Sequence, residues 1–308
     1  MILVAGLTPA WQQIMCFEQL RAGEVNRAGE VHWCASGKVV NAGLALATLG
    51  VPAHMLSPAG GWSGQAMRAE FAEHNMPATW TEIAAPTRIC TTVLNRGESI
   101  TTELVQNAAP LTEGELASFT TKYHALASGA ALVVLTGSLP NGTPATFYRS
   151  LLECVRCPAV LDARGPELLQ ALACKPRVVK PNREELGMTV GRPLPDRASV
   201  VAAMRELCER GARSVVVSQG KGAVLVLDGV RVWELLPPEV APIVNPIGCG
   251  DCLAAGIAWG LERGDTLVDA VRLGMAAAAD NLPQLLSARL SSSRVRALKD
   301  RVVIASSA

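Results

Sequence analysis

A chain of 308 residues that is 49% hydrophobic can bury a sizeable core, as one large α/β domain or as two. A formal net charge of +1 and an aromatic content of 4% speak against the basic field and stacking surface of a nucleic-acid partner. No uncharged apolar run approaches the ~18 residues of a membrane span, so no membrane partner is expected.

Residues 2–7 read as a buried strand, because the basic n-region and long h-region of a signal peptide are missing. Between residues 13 and 34, short apolar stretches around Ile14 and Val31 predict strands outside the main sheet. Residues 39–49 read as a helix capped by Gly50. Residues 53–58 follow as a strand and 64–74 as an amphipathic helix. Residues 77–83, 89–94 and 99–105 form a cluster of short strands.

After Pro110, helix and strand alternate. A helix is predicted over 112–126, with Thr112 and Glu115 as its capping box. Strand 132–136, helix 144–155, strand 160–162, helix 166–173, strand 178–180, helix 199–209 and strand 214–218 follow. Residues 224–227 and 230–233 flank Asp228-Gly229 and read as a hairpin. Helices over 250–262, 266–280 and 291–299 close the chain, and residues 306–308 are expected to fray.

This alternation predicts a doubly wound, mostly parallel α/β sheet with ligands beyond the strand C-termini. Thr136-Gly137-Ser138, Lys180-Pro181-Asn182 and Ser218-Gln219-Gly220 come after strands and Asp162 ends one, so they are expected on one rim.

The most informative stretch is Asn245-Pro246-Ile247-Gly248-Cys249-Gly250-Asp251, followed by a small, apolar helical run. A Gly-x-Gly turn at a helix start aims backbone N–H groups at one point, where the helix dipole adds positive potential. Gly248, Cys249 and Gly250 would cradle an anion, and Asp251 would take a proton from a hydroxyl, as phosphoryl transfer requires. A plain turn followed by an N-terminal helix acid suits the same residues equally well on spacing alone. The nine cysteines are odd in number and scattered, which fits reduced thiols in the cytoplasm. Cys249 and Cys252 lie in this turn, so their Cys-x-x-Cys spacing is not read as zinc binding.

The turn resembles the C-terminal signature of the PfkB/ribokinase carbohydrate kinases, and four further stretches agree in order. Ser36-Gly37-Lys38-Val39-Val40-Asn41-Ala42 is similar to a glycine-rich substrate segment, and Gly60-Gly61-Trp62-Ser63-Gly64 to the next glycine cluster. Thr136-Gly137-Ser138-Leu139-Pro140 and Val179-Lys180-Pro181-Asn182-Arg183-Glu184-Glu185-Leu186 match closely. Leu7-Thr8-Pro9-Ala10 with Gly23-Glu24-Val25-Asn26-Arg27 resembles the 1-phosphofructokinase and tagatose-6-phosphate kinase branch.

The resemblance implies a ribokinase-like fold over residues 1–308, with lid strands from 13–34 and 77–105 that cover the sugar and offer a homodimer surface. It implies an ATP- and Mg2+-dependent kinase acting on a hydroxyl of a sugar or sugar phosphate. Nucleotide contacts are expected from Lys180, Asn182, Ser218, Gly220, Gly222 and Asn281, and a metal contact from Glu185. Gln12, Gly37, Asn41 and Ser138 are expected at the acceptor, with Arg27, Lys38 and Arg88 clamping its phosphate. A nucleoside or unphosphorylated-sugar kinase of the same fold, and a silent sugar sensor, remain alternatives.

Departures from the family pattern concentrate in the sugar half. Gln12 stands where a sugar-binding Asp is usual, and Ser36 and Val39 replace two glycines. The expectation is retained kinase chemistry with an altered acceptor.

Overall fold

The computed structural model describes residues 1–307. In chain order, β1 (Ile2–Ala5), β2 (Ala10–Phe17) and β3 (Glu30–Ser36) lead into α1 (Lys38–Thr48), β4 (Ala53–Ala59) and α2 (Gly61–Glu73). Then come β5 (Ala78–Glu82), β6 (Ile89–Asn95), β7 (Ile100–Val105), α3 (Glu113–Ala127), β8 (Leu132–Thr136) and α4 (Phe147–Glu153). β9 (Ala159–Asp162), α5 (Gly165–Ala171), β10 (Val178–Val179), α6 (Arg183–Val190) and α7 (Arg197–Glu209) continue the alternation. The last elements are β11 (Ser214–Val217), β12 (Val224–Asp228), β13 (Arg231–Leu236), α8 (Cys249–Glu262), α9 (Leu267–Asn281), α10 (Ser292–Lys299) and β14 (Val303–Ser307).

A ten-stranded sheet runs in the order β14-β13-β12-β11-β10-β9-β8-β1-β4-β5. From β5 to β11 all pairs are parallel, while β12, β13 and β14 add antiparallel strands. The central strands are Ile, Val, Leu and Ala runs with polar residues only at their ends, because both faces are covered. Alternate side chains feed opposite layers. Ile2, Val4 and Val134 meet residues of α1, α8 and α9, whereas Leu3, Val133 and Leu135 meet Phe119, Tyr148 and Met204 from the other layer.

A second sheet, in the order β3-β2-β6-β7, stands apart from the first where the lid strands are expected. Two expectations change here. Residues 77–83 do not join the lid: β5 pairs with β4 in parallel at the edge of the large sheet, and a short apolar run carries no signal for which sheet it joins. The C-terminus is not frayed through Ser307, since Ser306 and Ser307 pair with Glu234 and Trp233. The Thr112–Glu115 capping box and the hairpin turning at Gly229 form as expected. Among the described residues, no helix is long and apolar enough to cross a membrane.

Candidate active site

The Gly-x-Gly turn is built by what lies behind it. Asn245 is buried; its Oδ1 accepts from Ile247 N–H at 3.0 Å, and its Nδ2 donates to Leu285 O at 2.9 Å. Ile247 O accepts from Asn281 Nδ2 at 2.9 Å and from Ser287 Oγ at 2.8 Å. A trans peptide is planar, so pinning that carbonyl backwards turns the Gly248 N–H the opposite way. Gly248 has φ 85°, and a Cβ there would stand 2.9 Å from Ser287 Cβ. Gly248 and Gly250 N–H have no acceptor among the described residues, whereas Cys249 N–H donates to Pro246 O at 3.3 Å. Cys249 faces backwards, with Sγ donating to Ala278 O at 3.3 Å, and burial pushes its thiol up to about 11.

Asn281, expected as a nucleotide contact, serves the turn instead. Its side chain is fully buried, its Oδ1 accepts from Ala288 N–H at 2.7 Å, and its NH2 holds the anion turn. No polar atom of the amide is left for a nucleotide.

Asp251 stands in the first turn of α8, buried, with Oδ2 accepting from Asn41 Nδ2 at 2.7 Å. Burial pushes its carboxyl up to about 7, with Asp162 adding to the rise and Lys38, Asn41 and Lys180 opposing it. Beside it runs a chain of alternating charge. Lys38 Nζ lies 2.8 Å from Glu185 Oε1 and 3.2 Å from Asp162 Oδ1, and Lys180 Nζ lies 3.3 Å from Asp162 Oδ2. Burial works against ionisation of Asp162, yet Lys180 and Lys38 hold its carboxyl below the usual carboxylate range. Lys38 feels burial first, but Asp162, Glu185 and Asp251 together raise its ammonium well above the ordinary value. Lys180 Nζ also lies 3.8 Å from where a Gly250 Cβ would stand, so a cation flanks the free N–H groups.

The three cations expected to clamp the acceptor phosphate differ in what already engages them. Lys38 is committed to carboxylates. Arg27 is exposed in the β2–β3 connection, with no ion pair among the described residues. Arg88 Nε donates to Pro9 O at 3.2 Å, and its two terminal nitrogens donate to Thr8 O at 2.9 Å and Gln106 O at 3.3 Å. Arg88 nevertheless lines a 240 Å³ cavity with Trp62, Thr87 and Asn107. Thr8 Oγ1 donates to Ser138 O at 3.1 Å, so Arg88 and Ser138 meet at Thr8. Gly37 has φ 94° and lies against Thr8 O, which a Cβ would approach to 2.9 Å. Gln12 is 3% exposed, and its Nε2 donates to Thr92 Oγ1 at 2.8 Å.

Asn182, Ser218 and Gly220 line one cleft of 840 Å³ with Arg183, Met188 and Leu194. Asn182 caps α6: its Oδ1 accepts from Glu185 N–H at 2.8 Å, and Glu185 Oε2 accepts from Asn182 N–H at 2.9 Å. Gly222 closes the adjoining turn, donating to Gln219 O at 3.0 Å. Asp162 lies on the ligand rim as expected, but its role, holding both Lys38 and Lys180, was not assigned from the sequence.

A family description reading pfkB family carbohydrate kinase matches residues 2–284. The chain belongs to this family. It is 29% identical over 278 residues to a 1-phosphofructokinase of Bacillus subtilis (strain 168), covering 89% of this chain and 90% of that one. It superposes on phosphofructokinase-2 from Escherichia coli in complex with fructose-6-phosphate with a TM-score of 0.85 and 27% identity, over 97% of this chain and 99% of that one. A possible 1-phosphofructokinase from Thermotoga maritima shares the fold at a TM-score of 0.89 and 19% identity, over 99% of each chain. The fold is ribokinase-like, and the chain is a carbohydrate kinase.

Kinases of this family use ATP. Both Glu185 oxygens are engaged, one by Lys38 and one by the α6 cap. Among the described residues, no three His, Cys, Asp or Glu side chains form a metal-holding group. These donors do not cage a metal, but they fit a hydrated Mg2+ carried on phosphates, since that ion keeps several waters and takes few carboxylates.

Proposed function

We propose that this kinase transfers the γ-phosphoryl group of ATP to a hydroxyl of a sugar phosphate. The observation that carries the reading is Asp251, buried in the first turn of α8 beside the uncommitted N–H groups of Gly248 and Gly250. A carboxyl held near 7 is balanced for taking a hydroxyl proton at neutral pH. Asn41 orients that carboxylate, and the two N–H groups with the α8 dipole meet the charge that develops on the phosphoryl oxygens. Lys180 adds a fixed cation beside Gly250, and Asn182, Ser218, Gly220 and Gly222 form the nucleotide end. Glu185 would hold Mg2+ through water, and the bound ion neutralises phosphate charge.

The names of the relatives, 1-phosphofructokinase and phosphofructokinase-2, support a fructose phosphate class of acceptor. Arg88 and Ser138 are the residues we assign to its phosphate, with Arg27 contributing long-range charge only. Gln12 has spent its NH2 on Thr92, so it offers a sugar one carbonyl oxygen and selects a single hydroxyl donor. The lid's outward face supports a homodimer, and nine free cysteines suit a reducing cytoplasm.

The test is ATP turnover across fructose 1-phosphate, fructose 6-phosphate, tagatose 6-phosphate and their unphosphorylated sugars, with wild type and Arg88→Ala. Wild type should prefer phosphorylated acceptors, and Arg88→Ala should lose about 1.5–3 kcal/mol on those alone, the range for charged hydrogen bonds. Equal losses on free sugars would assign Arg88 to holding Thr8 and Gln106 instead.

A further inference from the structure

The Ser36 hydroxyl reaches Asp251 through one intermediate. Ser36 Oγ donates to Asn41 Oδ1 at 3.2 Å, and Asn41 Nδ2 donates to Asp251 Oδ2 at 2.7 Å. All three side chains are buried. An amide has a donor end and an acceptor end, and its neighbours decide which way it lies. An ionised carboxylate only accepts, so Asp251 selects the NH2 end of Asn41. That choice leaves Oδ1 facing Ser36, whose hydroxyl supplies the missing donor. Without the hydroxyl, Oδ1 becomes a buried acceptor with no partner, a costly state that turning the amide would relieve.

Ser36 is itself held firmly. It ends β3 in register with Ala10 of β2, and the preceding Ala35 N–H donates to Glu70 Oε2 at 2.6 Å. Glu70 also pairs with Arg289, whose guanidinium donates to Ser287 O at 3.0 Å, and Ser287 Oγ holds the anion turn. The Asn41 amide lies against that turn as well, with Nδ2 3.4 Å from where a Gly248 Cβ would stand. The root of the lid, the base and the anion turn are thus joined by short polar links. A glycine at position 36, as in the family pattern the segment resembles, would lack the first of these links.

We propose that Ser36 is a positioning residue that fixes the Asn41 amide and, through it, the orientation of the Asp251 carboxylate. The groups facing Asp251 are Lys38 on α1, Asp162 at the end of β9, Lys180 after β10, and Cys249 and Cys252 on its own helix. Among the described residues, Asn41 is the one side chain that donates a hydrogen bond to it. The kinetic consequence rests on Asp251 acting as base, but the structural claim does not.

The experiment is a pH titration of 13C-labelled aspartate carboxyls by NMR on the full chain, with Asp251→Asn identifying the Asp251 signal. Asn41→Ala removes the donor and should raise the Asp251 midpoint by about one pH unit. Ser36→Ala should raise it by part of that amount, and Ser36→Thr, which keeps a hydroxyl, should stay with wild type. In turnover, Ser36→Ala should lower kcat while leaving KM for ATP unchanged. A wild-type midpoint in Ser36→Ala beside a shifted one in Asn41→Ala would overturn the proposal, as would an unshifted Asn41→Ala. If Ser36→Ala folds poorly, Ser36→Gly gives the same reading. The titration needs neither ATP nor sugar, so failure to phosphorylate any acceptor would count against the proposed function alone.

Discussion

A carboxylate moved from water into a protein interior holds its proton longer, and Asp251 pushed up to about 7 is such a case. The base must be ionised, so kcat/KM should rise with pH through about 7 and level above it. Asp251→Asn should keep nucleotide affinity and lower kcat by about 100-fold or more. The same shift affects stability. The folded chain keeps a proton that the unfolded chain releases near pH 4, so this carboxyl destabilises the fold progressively from about pH 4 to pH 7. Asp251→Asn carries no such cost, so its Tm should gain on wild type between about pH 5 and pH 8. Melting curves at both pH values check the sign, and a constant gap would refute it. Gln12 gives a second outcome at this scale. With its NH2 held by Thr92, wild type should turn over fructose 1-phosphate and tagatose 6-phosphate weakly, and Gln12→Asp should gain on one of them. Efficient wild-type turnover unchanged by Gln12→Asp would free Gln12 of any role in specificity. The residue types at Asp251, Gly248 and Gly250 were legible in the sequence because their chemistry is local. The commitment of Lys38 was not, because its carboxylate partners lie 124 and 147 positions away.

At the level of elements, the placement of Asp251 depends on how closely α8 lies against α9. A Cβ on Gly256 would stand 2.4 Å from Gly274 Cα, and one on Gly274 would stand 2.5 Å from Leu253 O. Backbone rather than flexible side chain is the obstacle in both cases, so the helices must part to admit a methyl. Gly256→Ala should therefore cost about 1–3 kcal/mol of stability, the usual range for overpacking. It should also lower kcat, because parting α8 from α9 moves the anion turn relative to the Asn281 that holds it. Denaturant unfolding and turnover check the two together, and a stable variant with lost activity would show that packing is not the cause. The small residues of this helix were visible in the sequence, and so was the capping box at Thr112, which depends on a neighbour three residues on; the matching box at Asn182, with the helix it starts, was not among the expected elements. The strand at residues 78–82 was also visible, but its sheet was not. Membership there depends on pairing with β4, and a five-residue run of mixed burial looks the same in either sheet.

On the scale of the whole molecule, the lid leaves apolar surface that this chain alone does not cover. Register places Trp33, Gln13, Thr91 and Leu104 in one cross-strand row, and Val31, Met15, Val93 and Thr102 in the next, on a common face. Trp33, Val31, Leu104 and the neighbouring Ile100 are exposed there. The opposite face carries Ile14, Cys16, Cys34 and Leu94, packed with Leu285 and Leu286 of the segment after α9. A four-stranded sheet with apolar residues on both faces gains from burying the second face, and large exposed apolar patches mark interfaces. The homodimer proposed above would seat that face on a second copy, and the burial would also hold the lid over the acceptor. Leu104→Lys places a charge at the β7 edge of this patch while touching no group assigned to ATP or to Asp251. Sedimentation velocity should show wild type at twice the chain mass and Leu104→Lys at the chain mass. The variant should keep its Tm within a few degrees if its exposed position matters only to association. Its KM for the acceptor should rise because the lid is no longer held, while KM for ATP should not move. A wild-type chain that sediments as a monomer at tens of micromolar would refute this interface, and so would a Leu104→Lys chain that remains dimeric.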